Sequence, residues 1–102
     1  MKKIINPEIK YFIISFKHTG RKNKYITLWR PNNAGYCYPI ELAGQYNGYE
    51  DGYHRDVEGE NIPAPVDSIP EKFISLDDRG RKCIKNSRAS VSFIRSFIPE
   101  LN

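Results

Sequence analysis

The alternation of apolar side chains is strongest near the start of the chain, over residues 9–17. Both sets of alternate positions are apolar there: Ile9, Tyr11 and Ile13 on one face, and Phe12, Ile14 and Phe16 on the other. Apolar residues on both faces are typical of a strand that is covered on both sides. A second alternation runs over residues 25–30 and stops at Pro31. The two segments therefore predict an antiparallel hairpin, joined by a polar connection over 18–24 with Gly20 as a turn residue.

Shorter elements are predicted beyond Pro31. Residues 36–40 predict a short edge strand, 41–45 a helical turn, 45–60 a long loop rich in glycine and tyrosine, and 62–66 an extended segment. Ser68 and Glu71 have the spacing of a capping box, which predicts a helical turn after Ser68. Residues 74–76 and 82–85 predict two strands that are joined by a tight turn over 77–80.

The last apolar pattern predicts a helix. Phe93, Ile94, Phe97 and Ile98 form one stripe, Asn86 or Ser87 is suited to the N-cap, and Pro99 ends the pattern. A chain of 102 residues makes one domain, over 1–102. The expected fold class is α+β, with a small antiparallel β-sheet, a C-terminal α-helix packed on one face and a long central Gly/Tyr-rich loop. No segment has the length of a membrane span, and the Lys2-Lys3 start is interrupted too early by Pro7 for a signal peptide.

The net charge of +4 is unevenly distributed. Residues 1–40 carry +7, residues 41–78 carry −8 and residues 79–102 carry +5, and no carboxylate occurs between Glu8 and Glu41. Two interpretations compete. The acidic block folds against the basic flanks, or the connection over 17–24 stays exposed and meets a polyanion or an acidic protein face.

Tyrosines crowd the centre of the chain at positions 36, 38, 46, 49 and 53. Tyrosine is enriched at interfaces, and beside lysine and arginine it also suits bases and phosphates. We expect Trp29 and Tyr38 in the core and Tyr49 and Tyr53 at the surface. The predicted partner-binding residues are Lys17, His18, Arg21, Lys22, Lys24, Arg30, Tyr36, Tyr49, Tyr53 and His54.

Candidate catalytic and metal-binding patterns are weak. Cys37 and Cys83 are predicted to be free, small buried thiols, although the Arg81-Lys82 pair favours a lowered pKa at Cys83. No closely spaced ligand pair predicts a metal, and no pattern predicts a cofactor or a catalytic residue. Adjacent carboxylates at 50 and 51, close to His54, keep a small nuclease among the alternatives.

An ordered series of short motifs carries a resemblance to a known family. KHT at 17–19, ITLWRP at 26–31, GYCYP at 35–39, AGQY at 43–46 and GYH at 52–54 resemble a family of small proteins encoded by bacteriophages and prophages. The resemblance continues to 65 and covers about the first two-thirds of the chain. It implies action in the cytoplasm of the bacterial host, and small phage proteins of this size often inhibit host defence, as anti-CRISPR proteins do. It supplies no catalytic residue.

Three functions follow from these observations as hypotheses. The leading one is a non-catalytic inhibitor that binds a host defence protein or ribonucleoprotein complex. The second is a sponge for a nucleotide or cyclic-nucleotide signal, in which tyrosine rings stack a base. The third is a small nucleic-acid-binding protein or nuclease that uses His54 with nearby acids.

Overall fold

The main element of the fold is a four-stranded antiparallel sheet. The computed structural model describes residues 9–47 and 60–97. The strands are β1 (Tyr11–Ser15), β2 (Leu28–Trp29), β3 (Tyr36–Cys37) and β4 (Asn61–Pro65), in the order β3-β2-β1-β4. The predicted pairing of the first two strands and the edge position of β3 are confirmed. The expected α+β class is confirmed as well, since the described residues also form a second, two-stranded sheet and a C-terminal helix. Most of the long loop predicted over 45–60 lies outside the described residues.

Strand β1 is covered on both sides, as its two apolar faces predict. Each of its five residues is buried. One face of the sheet packs into the larger core, whose fully buried members are Ile14, Ile26, Leu28, Ile62, Ala64, Ile84 and Ile94. The other face carries a smaller cluster of Ile13, Trp29 and Tyr46. The expectation that Trp29 is inside is therefore confirmed. The strand spans Tyr11–Ser15 rather than 9–17, and Ile9 is already exposed.

Strand β4 contains two prolines, and neither removes a backbone hydrogen bond from its ladder with β1. Backbone bonds from Phe16 N to Glu60 O (2.8 Å) and from Val66 N to Lys10 O (3.0 Å) flank the ladder. They assign the even-numbered residues of β1 to the hydrogen-bonded pairs. Pro63 and Pro65 lie opposite odd-numbered residues, at positions where no N–H is required. This pairing explains why a proline-rich segment forms the edge of the sheet.

The second sheet consists of β5 (Ile74–Leu76) and β6 (Lys82–Ile84). Their turn is fixed by Asp77, whose Oδ1 accepts hydrogen bonds from the backbone N of Arg79 and of Arg81, each at 2.8 Å. Gly80 has a φ of +75°, which favours glycine. Isolated bridges join this sheet to the first one at Tyr25 with Lys85 and at Pro39 with Cys83. The predicted strands and turn are confirmed.

The C-terminal helix, α1, spans Arg88–Arg95. Ser87 is its N-cap, and a reciprocal capping box forms with Ser90: Ser87 Oγ accepts from Ser90 N at 3.2 Å, and Ser90 Oγ accepts from Ser87 N at 3.0 Å. The capping box predicted at Ser68 is wrong. Ser68 Oγ donates to Pro65 O instead, and the following three-residue 3-10 turn, Glu71–Phe73, has Pro70 at its N-cap.

The helix packs on the larger core through Ile94, which is fully buried. Phe93 and Phe97 are half-buried beside it, with their ring centroids 5.2 Å apart, and the Arg95 guanidinium covers the ring of Phe16 at 4.3 Å. The helix ends at Arg95, one turn before the predicted stop. Ile98 and Pro99 lie outside the described residues.

Candidate functional site: a basic loop beside a tyrosine groove

The connection between β1 and β2 carries the predicted cations, and we call residues 17–24 the basic loop. Two tight turns build it, closed by Thr19 N to Phe16 O (3.1 Å) and by Asn23 N to Gly20 O (3.0 Å). Gly20 is thus a turn residue, as predicted. Thr19 Oγ1 donates to Ser15 O at 2.7 Å and accepts from Thr27 N at 3.0 Å, which ties the base of the loop to both strands.

Asn86, between β6 and α1, holds the tip of the basic loop. Its Nδ2 donates to Gly20 O at 3.0 Å and to Asn23 O at 2.9 Å, and its backbone N donates to Lys24 O at 3.1 Å. One side chain therefore joins the loop to the second sheet and to the start of the helix. The loop has a defined shape that neutral groups, rather than ion pairs, hold in place.

The charges of the basic loop lie at the surface. Its four cationic side chains are all on exposed residues: Lys17, Arg21, Lys22 and Lys24. Across residues 9–47 and 60–97, no carboxylate lies within salt-bridge distance of any of them. Two acids of the central block contact the C-terminal basic segment instead: Asp77 pairs with Arg81 Nε at 3.0 Å, and Glu41 accepts from the backbone N of Lys82. The described acids therefore leave the loop without a neutralising partner.

A groove opens beside the loop along the edge strand β3, and we call it the tyrosine groove. Its volume is about 270 Å³, and its lining is His18, Thr27, Tyr36, Cys37 and Tyr38. Tyr36 and Tyr38 are 37% and 42% exposed, whereas Cys37 between them is buried. The expectation that Tyr38 is in the core is wrong. Successive residues of a strand face opposite sides, and here the small Cys37 faces the core while both rings face outward.

One wall of the groove is a stack of rings. The centroids of His18 and Tyr36 are 4.1 Å apart with an interplanar angle of 30°, and those of Trp29 and Tyr36 are 4.8 Å apart. His18 is oriented by a hydrogen bond between Nδ1 and Ser15 Oγ at 3.0 Å. The predicted site residues His18 and Tyr36 are thus brought together, over a buried tryptophan that fixes the position of the tyrosine ring.

Cations lie at both ends of the groove. Arg30 is exposed and its Nε donates to Tyr36 O at 3.0 Å, which places its guanidinium beside the Tyr36 wall. At the other end, the centroid of Tyr25 is 6.1 Å from that of Tyr38, and Lys24 Nζ lies 5.8 Å from the Tyr25 ring. The arrangement combines planar, electron-rich rings with positive charge on either side.

Both cysteines are buried and free, as predicted. Burial is the main cause that raises the pKa of the Cys83 thiol to about 11, and the nearby Asp77 and Glu41 carboxylates add to it against the opposing effect of Arg81. The expectation that Arg81-Lys82 lowers this pKa is wrong. Burial also raises the pKa of Cys37, at the floor of the groove. The thiolate is the reactive form, so both positions are poor nucleophiles at neutral pH.

The remaining predicted site residues, Tyr49, Tyr53 and His54, lie outside the described residues, as do the carboxylates at 50 and 51. Within the described part of the chain, no group of three His, Cys, Asp or Glu residues is placed to hold a metal ion. Two groove residues, Thr27 and Cys37, were not singled out as site residues from the sequence. For Thr27, the period-2 spacing from Trp29 is a signal in the sequence; for Cys37, the signal is its position between two tyrosines.

Tyr46, in the predicted tyrosine cluster, has a structural role. It is buried, its hydroxyl donates to Arg30 O, and it accepts from Asn33 N at 3.0 Å. This clamp holds a turn in which Asn32 and Asn33 have φ near +60°. Gly44 packs so closely there that an added Cβ would lie 2.8 Å from the Cα of Pro31. A second hollow of about 420 Å³ adjoins the turn and is lined by uncharged residues only.

None of the described helices has the length and apolar character that crossing a membrane requires. Comparison with known proteins finds no matching family model, no similar curated protein and no similar solved structure. The resemblance noted for residues 17–65 therefore stays an expectation, and the function is argued from the basic loop and the tyrosine groove.

Proposed function

We propose that this protein is a non-catalytic binding protein whose contact surface is the basic loop together with the exposed rings of the tyrosine groove, and that its partner is a protein with an acidic surface. The observation that carries the proposal is the uncompensated positive charge of the basic loop. Four cations stand on a short segment of defined shape, and no carboxylate of the described residues neutralises them. Clustered like charges oppose folding slightly, so an attractive partner explains their presence.

The residue types on this face are those of an interface. Tyrosine and arginine are enriched where proteins bind each other, and histidine beside them adds a second planar contact. Complementary charge accelerates association with an acidic partner. In the context that the motif resemblance implies, such a partner is a defence protein or ribonucleoprotein complex of the bacterial host, and binding would inhibit it.

The test is charge reversal on the loop. The variant Arg21→Glu with Lys22→Glu is compared with the matched control Lys10→Glu with Lys72→Glu, which changes the net charge equally at exposed positions outside the face. Each protein is used as bait in lysate of a bacterial host, and the captured complex is identified and then titrated at several salt concentrations.

We expect the control to retain capture and the loop variant to lose it, with most of the loss in the association rate. Circular dichroism must show that both variants remain folded. Equal capture by the loop variant, with an unchanged salt dependence, would contradict the proposal and remove the basic loop from the contact surface.

A further inference from the structure

The tyrosine groove is lined by two exposed tyrosine rings, those of Tyr36 and Tyr38. Tyr36 is the first residue of β3, and Tyr38 follows the end of this strand, so Cys37 alone separates the two tyrosines along the chain. A base of any identity can stack on an exposed aromatic ring, because every base has a planar π face. Cys37 and Thr27 close the floor, and the volume of about 270 Å³ suits a base with its sugar rather than a helix or a strand.

The stacking surfaces are held in place before any ligand arrives. Tyr36 packs against His18 and Trp29, at centroid distances of 4.1 and 4.8 Å. On the opposite wall, the Tyr38 hydroxyl accepts a hydrogen bond from Asn23 Nδ2 at 3.3 Å, which ties it to the basic loop. Rings that are already ordered lose little entropy when they bind, so exposed rings in this state are suited to stacking.

The charges around the groove point to an anionic ligand. Arg30 is fixed at the Tyr36 end, Lys24 lies at the Tyr38 end, and Lys17 precedes His18 on the near rim. An anion attached to a planar ring would be attracted at either end of the groove. A peptide carboxylate would supply the negative charge but no planar ring to stack, whereas a nucleotide supplies both.

We propose that the tyrosine groove is a nucleotide site, in which one base stacks on the exposed tyrosine rings and its phosphate lies against Lys24 or Arg30. This inference rests on the proposed function in one respect, that the same exposed face is the contact surface. The lining offers stacking and few base-edge contacts, so the site is expected to accept any base. The nucleotide is either free or part of a single strand.

The experiment uses two probes on the full chain: adenosine monophosphate, followed by calorimetry, and a fluorescently labelled single-stranded deoxyadenosine octamer, followed by anisotropy. Duplex DNA of the same length is the control for attraction to the loop charges alone. Trp29, the single tryptophan, lies against Tyr36 and gives an internal fluorescence signal for occupation of the groove. Binding of both adenosine monophosphate and the octamer identifies a free-nucleotide site, and binding of the octamer alone identifies a single-strand site.

The deciding variant is Tyr38→Ala, with Tyr38→Phe as its matched control. Tyr38 is exposed, so neither change is expected to unfold the protein, and a thermal melt verifies this. Loss of a stacking ring predicts at least about ten-fold weaker binding for the alanine variant, while phenylalanine keeps affinity within about three-fold.

Two results would overturn the proposal. One is the absence of binding of both probes up to about 1 mM by the folded protein. The other is an octamer affinity that falls in the variant Arg21→Glu with Lys22→Glu but not in Tyr38→Ala, together with an equal affinity for duplex DNA. The basic loop would then bind nucleic acid without the groove. The lysate capture experiment gives an independent result. Lost nucleotide binding with retained partner capture rejects only the groove site, and retained nucleotide binding with lost capture rejects only the protein partner.

Discussion

Replacing Asn86 by alanine tests whether one neutral side chain holds the basic loop in shape. The carboxamide donates to Gly20 O and to Asn23 O, at 3.0 and 2.9 Å, and both bonds span more than sixty positions of sequence. Asn86→Ala removes both and leaves the backbone bond from its N–H to Lys24 O in place. The hydrogen bonds within the strands and the helix are untouched, so the change in the native structure should be confined to the loop.

The size of the effect follows from the number and exposure of the bonds. A neutral hydrogen bond contributes about 0.5–1.5 kcal/mol, and here one of the two is part-buried and the other is exposed to water. Two bonds therefore predict a loss of about 1–2 kcal/mol in the free energy of unfolding. For a domain of this size that corresponds to a fall of about 4–16 °C in Tm.

The measurement is urea denaturation followed by Trp29 fluorescence, with Asn47→Ala as the matched control. Asn47 makes one exposed hydrogen bond, from Lys10 Nζ at 3.1 Å, so its replacement should cost no more than about 0.5 kcal/mol. Hydrogen exchange of the loop amides adds a local readout and should accelerate in Asn86→Ala only. A loss no greater than that of the control, with unchanged exchange, would show that the loop does not depend on Asn86.

Three further substitutions test the packing of the core and the loss of stability at low pH. Phe97 is half-buried, so Phe97→Ala should cost about 2 kcal/mol in urea denaturation, less than the 3–5 kcal/mol of a core phenylalanine; a loss below about 1 kcal/mol would mean that the ring does not pack. Trp29→Ala should cost about 3–5 kcal/mol, and an unchanged melt with lost partner binding would contradict its place in the core. Hydrogen bonds from Arg81 and Arg79 lower the pKa of Asp77, so the stability that its carboxylate contributes is present above about pH 4 and is lost as the pH falls through the folded-state pKa. The free energy of unfolding of Asp77→Asn should therefore fall less steeply below about pH 4 than that of the unchanged protein, and an equally steep fall in both would refute this role.

Much of the architecture could be predicted because its signals are local. The two apolar faces of residues 9–17 predict a central strand, and β1 is buried on both sides. Asp77 to Gly80 has the residue types of a tight turn, and the turn is present. The backbone torsion angles of a proline-rich segment restrict it to an extended conformation, which is why residues 62–66 could be predicted as extended. The same restriction does not identify β1 as the partner strand. The register that fits both prolines to β1 depends on contacts across fifty residues and has no local signal.

The errors arise where two placements satisfy the same pattern. The alternation in 36–38 requires only that Cys37 face the opposite side from both tyrosines. We expected Tyr38 inside, but the core beneath β3 is filled by Leu28 and its neighbours, and Cys37 is the residue of this segment that joins it. At Ser68 the spacing to Glu71 is that of a capping box, yet Pro70 leads into a turn of three residues only. A cap has little to stabilise there, so the serine bonds backward to Pro65.

The groups that hold the basic loop explain how the chain keeps so many positive charges on one folded segment. Ion pairs would have neutralised the loop and made its shape sensitive to salt. Hydroxyls of Thr19 and Thr27 and the carboxamide of Asn86 hold it instead, and these bonds are independent of the four cations. The loop can therefore lose or reverse its charges while it keeps its shape. Arg21→Glu with Lys22→Glu consequently separates recognition from folding, and it should leave the melt nearly unchanged even where it abolishes binding.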